Sequence, residues 1–280
     1  MRSGKILAAA TTFITGHASA SSFAAEPLPW QYKFQPAVTP VMGRIDEVHQ
    51  LLLVIISLII VFVLGLLIYT MVKFSARNNP VPSRTTHNTM IEMLWTVVPV
   101  IILVIIAVPS FKLLYYADVV PKADMTIKAT GSQWYWSYQY PDHGKFSFQS
   151  NLIPDNELKK GQKRLLDTDT SVVVPVNAIV QVLVTADDVL HAWAIPAFGV
   201  KIDAVPGRLN ETWFKATKEG TYYGQCSELC GIKHGFMPIR VDVVSKSNFD
   251  VWVATQRKAA LLDVAPGEKR KFAALKRTTR

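Results

Sequence analysis

Cysteine is almost absent from this chain: there are two in 280 residues, Cys226 and Cys230, four positions apart. That scarcity excludes a disulfide framework, because several well-separated pairs are needed to staple a fold and one short loop yields little entropy gain. No Cys-x-x-Cys-His occurs, so no covalently attached haem is expected. Charge is missing from two long stretches, residues 50–72 and residues 93–111. Each run is long enough to cross a hydrocarbon core of roughly 30 Å as a helix. Pro99 and Pro109 fall inside the second run, and membrane helices tolerate proline because neighbouring helices can satisfy the freed carbonyls. Acid is missing from residues 73–90 between the runs, which carry Lys73, Arg77 and Arg84. The positive-inside tendency puts that loop in the cytoplasm, and both the N-terminus and everything after the second run on the other side.

Net charge is +9, a value that invites a nucleic-acid reading until it is divided along the chain. Residues 121–255 hold 14 basic and 14 acidic residues, whereas residues 256–280 hold eight basic and two acidic. The excess lies in a C-terminal tail, so nucleic-acid binding by the globular part is excluded. Such a tail is ordinarily a solvated segment, and contact with anionic membrane lipid is the sharper alternative. The N-terminus opens with Arg2 and Lys5, then a short apolar stretch, then the small residues Ala18-Ser19-Ala20 and Phe23-Ala24-Ala25. This is the layout of a secretory signal, with cleavage near residue 20 or 25. It demands an exported N-terminus, in agreement with the loop charges.

The expected organisation is a signal peptide over 1–25, then an N-terminal segment and two-helix transmembrane hairpin over 26–120, with helices at about 48–72 and 91–113. An exported domain follows over 121–255, and the basic tail over 256–280. Within that domain short β segments alternate with turns: 125–130, 134–140, 171–186 broken at Pro175, 212–216, 220–225 and 238–244. Regular short strands without intervening amphipathic helices predict an antiparallel sandwich or barrel. Ser247 is placed to cap a terminal helix, with Phe249, Trp252 and Val253 packing inward.

Chemistry concentrates in residues 226–237, Cys-Ser-Glu-Leu-Cys-Gly-Ile-Lys-His-Gly-Phe-Met, on a turn between two predicted strands. Soft sulfur ligands with imidazole select copper, and a second imidazole is expected from a distant strand end, for which His191 is the candidate. Two cysteines and two histidines are also a zinc set, but Met237 has no role there and the single-loop spacing is unlike two separated ligand pairs. A plain disulfide is the third possibility in an oxidising compartment. One thiolate suffices for a single copper, so a second one suggests two metals bridged by sulfur.

These motifs, with Gln133-Trp134-Tyr135-Trp136, Asp188-Val189-Leu190-His191-Ala192-Trp193 and residues 201–208, closely resemble subunit II of haem-copper cytochrome c oxidases over nearly the whole chain after residue 40. The resemblance implies a two-helix transmembrane hairpin plus an all-β cupredoxin-like Greek-key domain, carrying a dinuclear Cu-A site fed by cytochrome c. It implies that Cys226 and Cys230 bridge two copper ions, with His191 and Met237 on one side and His234 and the Glu228 carbonyl on the other. The Glu228 carboxylate is then expected on a magnesium or manganese ion shared with the catalytic subunit, subunit I. Trp134 is implied as the residue that receives electrons, and Glu92 as the mouth of a proton channel. For Glu92, simple snorkelling or favourable placement at a helix N-terminus is the plainer alternative. Because cytochrome c presents lysines, an acidic docking face is expected. Asp142, Asp169, Asp187, Asp188 and Asp203 are candidates, with Asp169 and Asp188 best placed, while Gln139 stands where relatives carry an acid. A quinol oxidase subunit would lack the copper ligands, a nitrous oxide reductase would lack the anchor, and a tethered copper carrier would need exposed, labile ligands.

Overall fold

The computed structural model describes residues 24–263. The expected signal segment therefore lies outside the described residues except for its last two positions, and the tail lies outside them beyond residue 263. In chain order the elements are β1 (Ala24–Ala25), α1 (Pro40–Lys73), α2 (Thr89–Asp118), β2 (Met125–Ser132), β3 (Tyr135–Gln139), β4 (Ser147–Ser150), β5 (Val172–Pro175) and β6 (Val180–Ala186). There follow β7 (His191–Ile195), β8 (Val200–Ala204), β9 (Asn210–Phe214), β10 (Gly220–Gln225), β11 (Pro238–Val244) and α3 (Lys246–Asp263).

Both apolar runs form helices, and both helices outrun them. Thr39 caps α1, its hydroxyl accepting from the Met42 N–H at 3.0 Å, and Asn88 caps α2 through bonds from Met90 and Ile91. At 34 and 30 residues they extend about 50 and 45 Å, more than a bilayer core requires. Their side chains are apolar all round, and no residue of α2 is buried. A helix of that composition with an uncovered surface needs an apolar surrounding.

The globular part is a two-sheet sandwich. One sheet runs β1-β10-β11-β5 and the other β4-β3-β2-β6-β9, with β7 and β8 as a separate hairpin. The expectation of an antiparallel sandwich or barrel is corrected in its strand directions: the sandwich mixes antiparallel and parallel pairs. β1 on β10, β5 on β11 and β2 on β6 are parallel pairs. Chain crossovers of Greek-key type bring non-consecutive strands side by side. In β2 and β6 alternate residues point inward, and Ile127, Ala129, Val182 and Val184 are buried in the core. Trp136, Trp193, Phe198, Phe214 and Tyr222 fill the centre.

Several boundaries move. Trp134 precedes β3 instead of lying in it, and β9 ends at Phe214. The hydroxyl that accepts from the start of α3 belongs to Ser245, on the Asn248 N–H, rather than to Ser247. Phe249 and Val253 pack inward as expected, and α3 runs on to Asp263, eight residues into the segment assigned to the tail. Tyr140 supports this end of the sandwich: its hydroxyl donates to the Val173 carbonyl at 2.9 Å and accepts from the Val173 N–H at 3.0 Å. Tyr140→Phe removes both partners from buried groups and is expected to destabilise the β domain by about 1–3 kcal/mol. A thermal unfolding midpoint equal to that of the unsubstituted chain would contradict this.

Candidate metal centre

The antiparallel pair β10–β11 projects the loop 226–237 from one end of the sandwich, and the Cys226 N–H closes it on the Met237 carbonyl at 3.0 Å. His191, the first residue of β7, arrives from across the sandwich and is fully buried. Two glycines permit the approach. A Cβ on Gly131 would stand 2.9 Å from the His191 ring, and one on Gly224 would collide with the Ala194 carbonyl. Gly231 has a positive φ of 113°, and a side chain there would press on the Trp134 ring at 3.1 Å.

The two cysteines are free, buried, and 3.8 Å apart at sulfur, far beyond a disulfide bond of about 2.05 Å. His191 Nδ1 lies 3.8 Å from Cys226 Sγ, and His234 Nδ1 lies 3.6 Å from Cys230 Sγ. The Glu228 carbonyl oxygen is 3.4 Å from Cys226 Sγ. Met237 is buried in the same core cluster as both cysteines. The ligand atoms of His191, Cys226 and Cys230 all fall within 4.8 Å of one another. Two buried thiols and the buried His191 ring, with the half-buried His234 ring beside Cys230, suit a soft, borderline metal such as copper. The residues present fit the group that the sequence implied.

Electrostatics favours one sulfur. Burial raises the Cys226 thiol, but bonds from the His191 ring and the Ala192 backbone outweigh it, and the group ionises below its ordinary value. Cys230 is pushed up by burial and then by the neighbouring Cys226 charge. Burial disfavours charge on His191, yet the bonds to Cys226 and Asp188 raise it overall. Asp188 is likewise opposed by burial and held below the usual carboxylate range by bonds from His191 and from the Gln133 and Val189 amides.

Trp136 is fully buried, whereas Trp134 is half-buried above the loop and donates its indole N–H to the Cys230 carbonyl at 3.1 Å. Gln133 Nε2 donates to the same oxygen at 2.9 Å. Trp134, Leu152, Ile232 and Phe236 line an open groove of about 580 Å³ beside the loop. Asp169 lies at the surface, with its carboxylate accepting from the Asn151 N–H and side-chain amide. Asp188 is an exposed residue whose carboxylate faces the His191 ring at 2.9 Å. Asp142 and Asp187 are partnered too, with the Thr126 amide and the Ser132 hydroxyl. Glu92 sits in the first turn of α2, separated from the metal loop by the length of that helix, about 45 Å. The part played by Gln133 was missed from the sequence. It stands in a quoted motif, yet nothing about a turn glutamine names a carbonyl 97 residues away as its partner.

Fold and donor set together define a membrane-anchored β-sandwich protein with a buried sulfur and imidazole metal site. Residues 27–113 match the cytochrome c oxidase subunit II transmembrane domain, and residues 125–244 match the periplasmic domain of the same subunit. The chain is 57% identical over 256 residues to the probable cytochrome c oxidase subunit 2 of Rickettsia bellii, covering 91% of this chain and 94% of that one. It is 49% identical over 232 residues to cytochrome c oxidase subunit 2 of Oenothera berteroana, covering 81% and 90%. A crystal structure of the periplasmic domain of subunit II of cytochrome oxidase from Bradyrhizobium japonicum is 61% identical, covering 51% of this chain and 99% of that one, with a TM-score of 0.48. The chain belongs to the cytochrome c oxidase subunit II family, as a two-pass membrane protein with a cupredoxin-like β domain.

Because a methyl at Gly131 would displace the His191 ring, Gly131→Ala is expected to weaken metal retention on the order of tenfold, as loss of ligand orientation does. Competition against a chelator, with the β-sheet circular dichroism as control, checks this. Undiminished retention would mean that the ring has room to shift.

Proposed function

We propose that this chain accepts electrons from a cytochrome c at a pair of copper ions and passes them to a haem-bearing catalytic subunit, where oxygen is reduced and protons are translocated. The observation that carries the reading is the pair of unbonded sulfurs 3.8 Å apart, each with an imidazole Nδ1 within 3.8 Å. Cys226 and Cys230 would be shared by both metals, His191 and Met237 would complete one, and His234 with the Glu228 carbonyl would complete the other. A copper pair held there supplies one-electron transfer.

The chain's own residues shape how the electron arrives. The indole of Trp134, bonded to the Cys230 carbonyl, stands between the open groove and the sulfur loop. Leu152, Pro154, Ile232 and Phe236 give that groove apolar surface suited to a docked haem edge, with Asn151, Asp155 and Lys233 as its polar lining. Asp169 supplies negative charge near its rim, where lysines of the donor would be steered. Glu228 is half-buried, and its carboxylate would help hold a magnesium or manganese ion shared with the catalytic subunit. Glu92, at the opposite end of α2, would mark the mouth of a proton path. The positive loop at 73–90 supports a cytoplasmic position for that end and a periplasmic one for the β domain in a bacterial inner membrane.

Metal analysis of the purified full-length chain is expected to give two coppers per chain with a delocalised mixed-valence electron-spin signal, and Cys226→Ser is expected to abolish both. A single copper, or zinc alone, would sink the reading. In the assembled oxidase, Glu92→Ala is expected to slow turnover while leaving the copper content unchanged. Steady-state activity equal to that of the unsubstituted oxidase would remove the proton-path role.

A further inference from the structure

We propose that the ion pair between Asp167 and Arg240 sets the opening of the groove beside the sulfur loop, which makes Arg240 a positioning residue for the electron donor. The inference rests on the electron-transfer reading above and deepens it. Among the described residues Asp167 is the one buried carboxylate, 2% exposed, and that reading leaves it without a role. A buried ion pair gains little net stability over apolar packing, and its best-attested use is to fix how two segments register.

The two segments here both line the groove. Residues 151–169 form an arm between β4 and β5, folded back on itself by the Leu152–Thr168 bridge and by the bond from the Ile153 N–H to the Asp167 carbonyl at 3.2 Å. The arm contributes Leu152, Pro154 and Asp155 to the groove, and the sulfur loop contributes Ile232 and Phe236. Tyr223 and Arg240 are paired across β10 and β11, three residues before Cys226 and three after Met237. Both reach the arm at one atom: Asp167 Oδ1 accepts from the Arg240 guanidinium at 3.0 Å and from the Tyr223 hydroxyl at 3.2 Å. Asp167 Oδ2 accepts from the Lys163 N–H at 2.6 Å, so the same carboxylate closes a turn of the arm. Asp242 steadies the guanidinium, meeting its Nε at 3.3 Å and its other terminal nitrogen at 3.2 Å. Asp242 is fixed in turn by the Ser171 and Thr221 hydroxyls. Three guanidinium nitrogens are thus engaged in one plane, an arrangement that a lysine ammonium cannot copy. Two further bonds, Lys163 to Glu26 and Gln225 to the Leu165 carbonyl, hold the outgoing half of the arm, so loss of the ion pair shifts the arm without detaching it.

Charge and geometry predict opposite signs, which steady-state kinetics of the assembled oxidase can read. Arg240→Gln removes a positive charge, which by attraction alone would lower KM for a lysine-bearing cytochrome c. A groove whose wall must be ordered by the donor instead raises KM, on the order of tenfold, with kcat and the copper electron-spin spectrum unchanged. Arg240→Lys keeps the charge with a poorer grip, and is expected to raise KM by a smaller factor with the same two readouts unchanged. Arg240→Gln decides where it assembles, and Arg240→Lys decides where it does not. The proposal is overturned if KM in the deciding variant falls or stays the same, or if it rises together with a loss of kcat or an altered copper spectrum. Failure of the underlying reading would show separately, as an unsubstituted chain that does not hold two coppers.

Discussion

Everything at the functional end of this molecule depends on keeping two thiol sulfurs close together yet unbonded. A loop of twelve residues between adjacent antiparallel strands does this, locked at its base by the Cys226–Met237 backbone bond and turned at Gly231. Two buried thiols and a buried imidazole held this close to one another form a donor set that a soft metal can complete. The rest of the sandwich delivers His191 to that loop from a hairpin 35 residues upstream. That approach needs bare backbone at Gly131 and Gly224, where any side chain would occupy the space already taken.

The molecule also divides cleanly by surrounding. In the sandwich, apolar side chains on alternate strand positions are buried against one another. In the hairpin, residues such as Ile60, Leu64, Leu103 and Val104 are more than half exposed. One chain therefore carries two kinds of hydrophobic surface, one satisfied within the fold and one that lipid or other apolar partners must cover.

Much of this was legible beforehand, and the exceptions have physical causes. Uncharged runs announced the hairpin, but Thr39 and Asn88, the residues that start the helices, lie outside those runs, so both helices extend past them. Short β segments set off by turns announced β2 and β6. β7 was not announced, since its five residues are all buried and no period of two exists to be read. Parallel pairing was equally hidden, because strand neighbours 55 residues apart are chosen by the whole topology. The metal ligands could be named because sulfur and imidazole carry their chemistry in their identity. The bond from the Gln133 N–H to Asp188 could not be read that way, since nothing in a turn aspartate names an amide 55 residues away.

The junction between hairpin and sandwich carries a mechanical meaning. Thr39 donates to the Phe198 carbonyl at 2.6 Å, the Val38 N–H reaches the Ala197 carbonyl, and Trp213 at the other helix bonds the Ala117 carbonyl at 3.1 Å. Each membrane helix is thus riveted to the sandwich at its own base. Two separate attachments oppose rotation of the sandwich about either helix and hold the sulfur loop at a set distance from both helix ends.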